Sequence, residues 1–209
     1  MVLKWICGGL VCLAMLLSAG KTQASIDAAL SIEDGRVSSF YLAIGDHYRV
    51  PEKEIIFVKK REISDDDLAV VFFLASRANV APSVIVELRL GGKTWMEITS
   101  HFHLTAEIYY VTINKVSGPP YGKAHGYFKN RNRKEWASIR LSDTDIANFV
   151  NLRFISDHFG YTPDEVVKMR EQGQSFIAIH DKIKKAKNAK KSKDSGKPKQ
   201  PKSGGKKKK

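Results

Sequence analysis

The chain has only two cysteines, Cys7 and Cys12, and both lie within its first 24 residues. If that segment is removed, no disulfide framework, thiol nucleophile or thiolate metal site remains. Lipidation is disfavoured too, because Cys12 follows Leu10 and Val11, and Cys7 follows Trp5 and Ile6, rather than small residues. Nor is there an apolar run of the roughly 20 residues that a spanning helix needs. The last 26 residues, KKAKNAKKSKDSGKPKQPKSGGKKKK, contain no aromatic residue and no aliphatic one larger than alanine. Such a segment cannot bury enough surface to offset the entropy of ordering. No nucleophile elbow, phosphate loop or HExxH occurs, and no carboxylate pair can be assigned to acid and base roles, so an enzyme finds no support. The six histidines show no metal-type spacing apart from His101 and His103, which point in different directions on a helix. Neither a metal nor a cofactor is expected.

What is present begins with an export pattern. In MVLKWICGGLVCLAMLLSAGKTQAS, Lys4 precedes an apolar stretch from Trp5 to Ala19, and Thr22 and Ala24 bracket Gln23. This reads as a signal peptide over residues 1–24, cleaved after Ala24, with an uncleaved anchor or a misassigned start as alternatives. A periplasmic or secreted location follows.

The formal net charge is +13, and it is unevenly placed. From Lys182 onward there are 14 lysines against Asp194 alone, whereas Ser25 to Asp181 holds 19 basic and 21 acidic residues. The body is near neutral, and the polyanion-seeking character belongs to the tail. Residues 182–209 are therefore expected to be disordered, with the preceding helix continuing a short way into them. Lys184, Lys185, Lys187, Lys190, Lys191, Lys193 and Lys206, Lys207, Lys208, Lys209 are the candidate anion-binding residues. Their expected partners are anionic envelope components, nucleic acid or an acidic protein, bound by counterion release.

The body repeats itself. PSVIVELRLGGKTWMEI from Pro82 lies against PDEVVKMREQGQSFIAI from Pro163, matching proline, Arg89 with Arg170, Gly92 with Gly173, Thr94 with Ser175, Trp95 with Phe176 and Ile98 with Ile179. Upstream, ISDDDLAVVFFLA at Ile63 lies against LSDTDIANFVNLRFI at Leu141, with three extra residues in the second copy. A duplicated unit is the direct reading, over residues 63–104 and 141–181, with a fainter echo from Val50 in VPEKEIIFVKKR.

Each unit reads as helix, helix, glycine turn, helix. Ser64 and Ser142 precede acidic runs suited to helix starts, and Thr162, Pro163 and Glu165 compose a capping box with proline at the first position. Gly92 and Gly173 stand where a left-handed residue closes a helix. Leu68 to Ala75 suits a buried helix or a buried strand, with its capped start favouring the helix; Glu107 to Ile113 is open between helix and strand. The predicted fold class is mainly α, two such units packed together in one helical domain over residues 25–181. The glycines and prolines of residues 115–136 predict an ordered inter-unit loop. There, Tyr121, Lys123, Tyr127, Lys129, Arg131 and Arg133 mix rings with cations in a way that suits bases, sugars or phosphate. The competing view is that the rings anchor the loop and the charges face water.

These residues carry two resemblances. ELRLGGKTWMEITSHFHLTAEIYY, Glu87 to Tyr110, resembles the helix-turn-helix segments of bacterial DNA-binding proteins, which implies a recognition helix after the turn. Thr99 stands where alanine is usual there, and His103 where the turn glycine is usual. More broadly, the signal peptide, YLAIGDHYRVPEKEI, the P-x-x-V-x-x-x-R-x-x-G-x-S-W/F-x-x-I module and GPPYGKAHGYFKNR resemble a group of uncharacterised exported bacterial proteins. That resemblance carries no activity with it. The functional expectation is a non-catalytic exported helical protein that binds anions through its tail, with a DNA-binding helix-turn-helix protein or an enzyme as alternatives.

Overall fold

The computed structural model describes residues 35–115 and 118–195, with side chains described over 39–115 and 118–189. The signal-peptide reading of residues 1–24 and the disorder expected of residues 196–209 lie outside the described residues. Within them the chain is helical, with no strand. The helices are α1 (Gly35–Tyr48), α2 (Glu52–Lys59), α3 (Asp65–Ala78), α4 (Pro82–Leu90), α5 (Trp95–His101), α6 (Gly122–Lys129), α7 (Asp143–Phe159), α8 (Pro163–Glu171) and α9 (Phe176–Ser195). Two 3₁₀ helices, Ala106–Tyr109 and Arg133–Ser138, lie either side of α6.

One rule joins these helices. Arg49, Glu62, Asn79, Gly92, His103, Gly160 and Gly173 all have positive φ, and each stands two residues before the cap of the next element: Pro51, Ser64, Ala81, Thr94, Thr105, Thr162 and Ser175. At five of the seven, the residue after the left-handed one donates its N–H to the carbonyl five positions back, as in Val50 to Gly45 and Gln174 to Met169. That bond closes the finished helix while the cap opens the next. Arg49 with Glu62, Asn79 with Gly92, and Gly160 with Gly173 repeat at the same thirteen-residue spacing. The chain thus makes three passes through this pair of turns, α1–α2–α3, α3–α4–α5 and α7–α8–α9; the first and third run long, short, long, while the second ends on the seven-residue α5. The echo from Val50 makes the same two turns, which its sequence hides because Arg49 and Glu62 fill positions held elsewhere by Asn79 or Gly160 and by Gly92 or Gly173.

The expected caps form. The Ser64 and Ser142 hydroxyls accept from the N–H of Asp67 and Asp145, and Thr94 with Glu97 and Thr162 with Glu165 make reciprocal boxes. Each is worth about 1 kcal/mol.

Helices α3 and α7 pack against each other at the centre. Every residue from Leu68 to Ala75 is buried, and so are Ile146 to Leu152 with Phe154 and Ile155. Leu68–Ala75 is accordingly the helix, not the strand: it is covered on all sides, by α7, α4 and α1. In each unit the short helix sends one apolar face inward, through Ile85 and Val86 in α4 and through Val166 and Val167 in α8. Helix α9 closes the fold against α1, α7 and α8, with Phe176, Ile179, His180 and Ile183 buried.

Two boundaries differ from the sequence reading. Residues 115–136 are not a plain loop, since α6 and the start of the second 3₁₀ helix lie within them. Tyr121, Ala124 and Phe128 fall at helical spacing and are all buried, so burial of one face outweighs the breaking tendency of Gly122 and Gly126. Helix α9 also runs past residue 182 to Ser195. Ile183 ties it to the core, and the lysines and alanines beyond it have good helical propensity.

Candidate functional site

The most chemical residues of the repeat are its arginines. Arg89 donates to the Lys93 carbonyl at 3.0 Å and stacks over the Trp95 ring at 4.4 Å. Arg170 donates to the Gln174 carbonyl at 2.6 Å and stacks over the Phe176 ring at 4.3 Å. Both guanidinia therefore bind the carbonyl four residues ahead and cover the ring six residues ahead. Both also reach α7: Arg89 to the Asp143 carboxylate at 2.6 Å, Arg170 to the Asn148 amide oxygen at 3.0 Å. They clamp the turn onto the central helix and are committed to structure. In the first pass Lys59 holds the equivalent place, over the Tyr41 ring and 2.8 Å from Asp65.

The acidic run at the start of α3 is committed in the same way. Asp65 accepts from Lys59 and from the Tyr41 hydroxyl; burial opposes its charge, and those two bonds outweigh it and hold its carboxyl below the usual range. Asp67 accepts from the Trp95 indole at 2.7 Å. Asp66 is pushed up by burial, with Arg170 opposing. Among the described residues no group of His, Cys, Asp and Glu could hold a metal ion.

Five of the six histidines fall into two sets, and His125 stands apart on α6. His101 and His103 are exposed beside the α5 turn. His47, His158 and His180 gather where α1, α7 and α9 meet, with His47 and His158 ring centroids 5.8 Å apart and both His47 and His158 in edge contact with Phe154 or tilted onto it. All three are pushed below the ordinary imidazole value, chiefly by burial. Only 2% of His180 is exposed; it packs against Phe40 and Phe159, and its Nδ1 lies 3.4 Å from the neighbouring Asp181 carboxylate.

The turn at His103 forms despite the missing glycine, with φ of 57°. The element after it is a four-residue 3₁₀ helix whose Ala106 and Tyr109 are buried, Tyr109 sharing a 2.5 Å hydroxyl bond with Thr99. Thr99 thus fills its alanine-like position by donating to the Trp95 carbonyl at 2.6 Å and by meeting Tyr109. The place of a recognition helix is taken by a short, buried element.

The inter-unit residues separate by chemistry. Tyr121 is fully buried, its hydroxyl donating to the Asn148 carbonyl at 3.3 Å, so it belongs to the core. Tyr127 is half-buried beneath Arg131, whose guanidinium is 5.9 Å from the ring centre. Lys123 and Lys129 are exposed, and Arg133 binds the Glu107 carboxylate at 2.7 Å while lying 5.3 Å from Trp136. Two clefts flank this segment. One, of about 590 Å³, lies between residues 110–114 and α6 and takes His125 and Lys129 into its wall. Burial and then Lys129 hold His125 below its ordinary value, with Asp164 opposing. The other, of about 460 Å³, has Arg77, Arg133 and Arg153 on its wall, three cations that no sequence motif joined.

Of the tail lysines, Lys182, Lys184, Lys185 and Lys187 are exposed on α9. Lys184 donates to the Ser39 hydroxyl at 2.7 Å, and Lys187 lies 5.1 Å from the Phe159 ring centre. Lys190, Lys191 and Lys193 continue the same helix. Lys206, Lys207, Lys208 and Lys209 lie outside the described residues. No helix among the described residues is long and apolar enough to cross a membrane. No family model matches the chain, and neither does any curated protein or solved structure.

Proposed function

We propose that this chain is an exported, non-catalytic helical protein that binds anionic partners through its lysine-rich C-terminal segment. The observation that carries the reading is the division of charge: a body of near-zero net charge is followed by 14 lysines with one acid. Seven of those lysines precede Gly196, on a helix whose last buried residue among those with described side chains is Ile183. A helix fixed to the core at one end and cationic along its exposed length presents charge to envelope polymers, nucleic acid or an acidic protein without needing a pocket. The body's own motif residues favour no other reading, since Arg89, Arg170, Asp65 and Asp67 are spent on packing.

The test is retention of the full chain on heparin and on duplex DNA across a salt series. It is compared with a variant in which the lysines from Lys190 to Lys209 become serine. Cutting at residue 181 would remove Ile183 and damage the core, so substitution is the cleaner probe. The parent should elute at markedly higher salt, with log K falling steeply against log salt. Equal retention of the two proteins defeats the reading. Export is tested separately by the mass of the N-terminal peptide, Ser25 being the expected first residue.

A further inference from the structure

The second cleft differs from the rest of the body in how its arginines are used. Arg77 lies in the last turn of α3 and Arg153 in the middle of α7, and both guanidinia approach one ring, 5.1 and 5.7 Å from the Phe73 centre. Arg153 is half-buried and uses one end, Nη2, to hold the carbonyls of Ile108 and Tyr110 at 3.1 and 2.6 Å. Those bonds aim the guanidinium and leave its charge uncompensated. Among the described residues no carboxylate lies within ion-pairing distance of Arg77 or of Arg153. Burial, followed by the Arg77 charge, pushes Arg153 below its ordinary value, while Asp157, one turn along α7, offsets part of this from farther away. Arg133 lines the same cleft, and its partner Glu107 is the acid of the cleft wall.

Two arginines at one ring with no carboxylate in ion-pairing reach of either cost free energy, more so when one is partly desolvated. Arg89 and Arg133 reach carboxylates at 2.6 and 2.7 Å, whereas Arg153, like Arg170, bonds only neutral oxygens, and it alone has a second arginine at the same ring. We infer that the cleft bounded by Arg77, Arg153, Arg133 and Tyr110 is a binding site for a small oxyanion, a phosphate or carboxylate group on a compact ligand. The planar forks of Arg77 and Arg153 suit such oxygens, and an anion in the cleft that both line reduces their repulsion. The site is separate from the lysine segment. It sits on the two central helices and in a concave surface, so it selects by shape where the lysines do not.

The experiment is nuclear magnetic resonance of the full chain, following arginine side-chain N–H and Trp136 indole signals. Phosphate, pyrophosphate and citrate are titrated at fixed ionic strength. Saturable shifts at Arg77, Arg153 and Trp136 are expected with at least one probe, and which probe saturates says whether the ligand's oxyanion is phosphate or carboxylate. Arg77→Gln changes an exposed side chain and should fold normally by circular dichroism while weakening the response at least tenfold. The Lys190 to Lys209 serine variant should keep the cleft shifts even as it loses heparin retention, so this proposal and the one above fail independently. Shifts confined to lysines, no saturation with any probe, or unchanged affinity in Arg77→Gln would overturn the inference.

Discussion

The turn at Gly92 and the turn at Gly173 are built on one plan with different electrostatics. Both have a left-handed glycine, a hydroxyl cap, and an arginine spread over a buried ring. Around Arg89 the partners are carboxylates, Asp143 at 2.6 Å and Asp67 at 3.7 Å, and the ring is an indole that bonds Asp67. Around Arg170 the α7 partner is a neutral amide, Asn148, and the ring is a phenyl. Asp143 has a further duty, accepting from the Trp95 N–H at 2.8 Å, so the second unit's first turn helps to start a helix of the first. The geometry of a repeat can thus be kept while its charge network is rewritten, and the first joint is the one that ties the two units together.

The contrast between the joints is tested most severely at the rings. Trp95→Ala and Phe176→Ala should each cost about 3–5 kcal/mol in urea unfolding. Trp95→Phe should bring the first joint toward the second and cost much less than the alanine change. The arginines come next. Arg89→Met strands two half-buried carboxylates and should cost about 3 kcal/mol, against about 1 kcal/mol for Arg170→Met, whose hydrogen-bond partners are neutral and whose charge acts on Asp66 without forming an ion pair. A double-mutant cycle of Arg89 with Asp143 checks this through a coupling above about 1 kcal/mol. Equal losses at the two arginines would remove the distinction.

Smaller effects come from the backbone. Gly92→Ala and Gly173→Ala, at φ of 86° and 79°, should each cost about 1 kcal/mol, although neither new methyl group would meet a neighbour. Glu62→Gly, at φ of 57° in the first pass, should act in the opposite direction, by about 0.5–1 kcal/mol of stabilisation.

The last contrast is pH dependence. His47, His158 and His180 are held below their ordinary value of about 6.5 in the folded chain, so the unfolded chain binds protons more readily. Their contribution is complete above about pH 6.5 and is lost as pH falls from there through the folded values. Urea midpoints should therefore drop from about pH 7.5 to about pH 5.5, and His180→Phe should flatten that drop.

Much of this fold could be read from residue patterns because the information is local. Ser64, Ser142 and Thr162 announce helix starts through hydroxyls that reach the next turn, and Gly92 and Gly173 announce their ends through a conformation other residues resist. Where burial overrode the local signal, the reading failed. Gly122 and Gly126 argue for a loop, yet Tyr121, Ala124 and Phe128 find a hydrophobic wall on α7 and hold a helix. Arg49, Glu62 and His103 hide three turns because non-glycine residues occupy left-handed positions that their surroundings impose. For the candidate sites, the lysine segment is visible as composition. The arginine cleft is not, since Arg77, Arg133 and Arg153 belong to different elements and share no spacing.

Residues near one another in the chain thus dictate the helical alphabet, the repeat and the separation of a neutral body from a cationic end. Packing in three dimensions alone settles which charges are spent and which are left over. Arg89 and Arg170 recur at one place in the repeat and are consumed by ring and carbonyl contacts. Arg77 and Arg153 look incidental and are brought together by the packing of α3 on α7. A charge is neutralised by what lies within a few ångströms, and only the folded chain sets that distance.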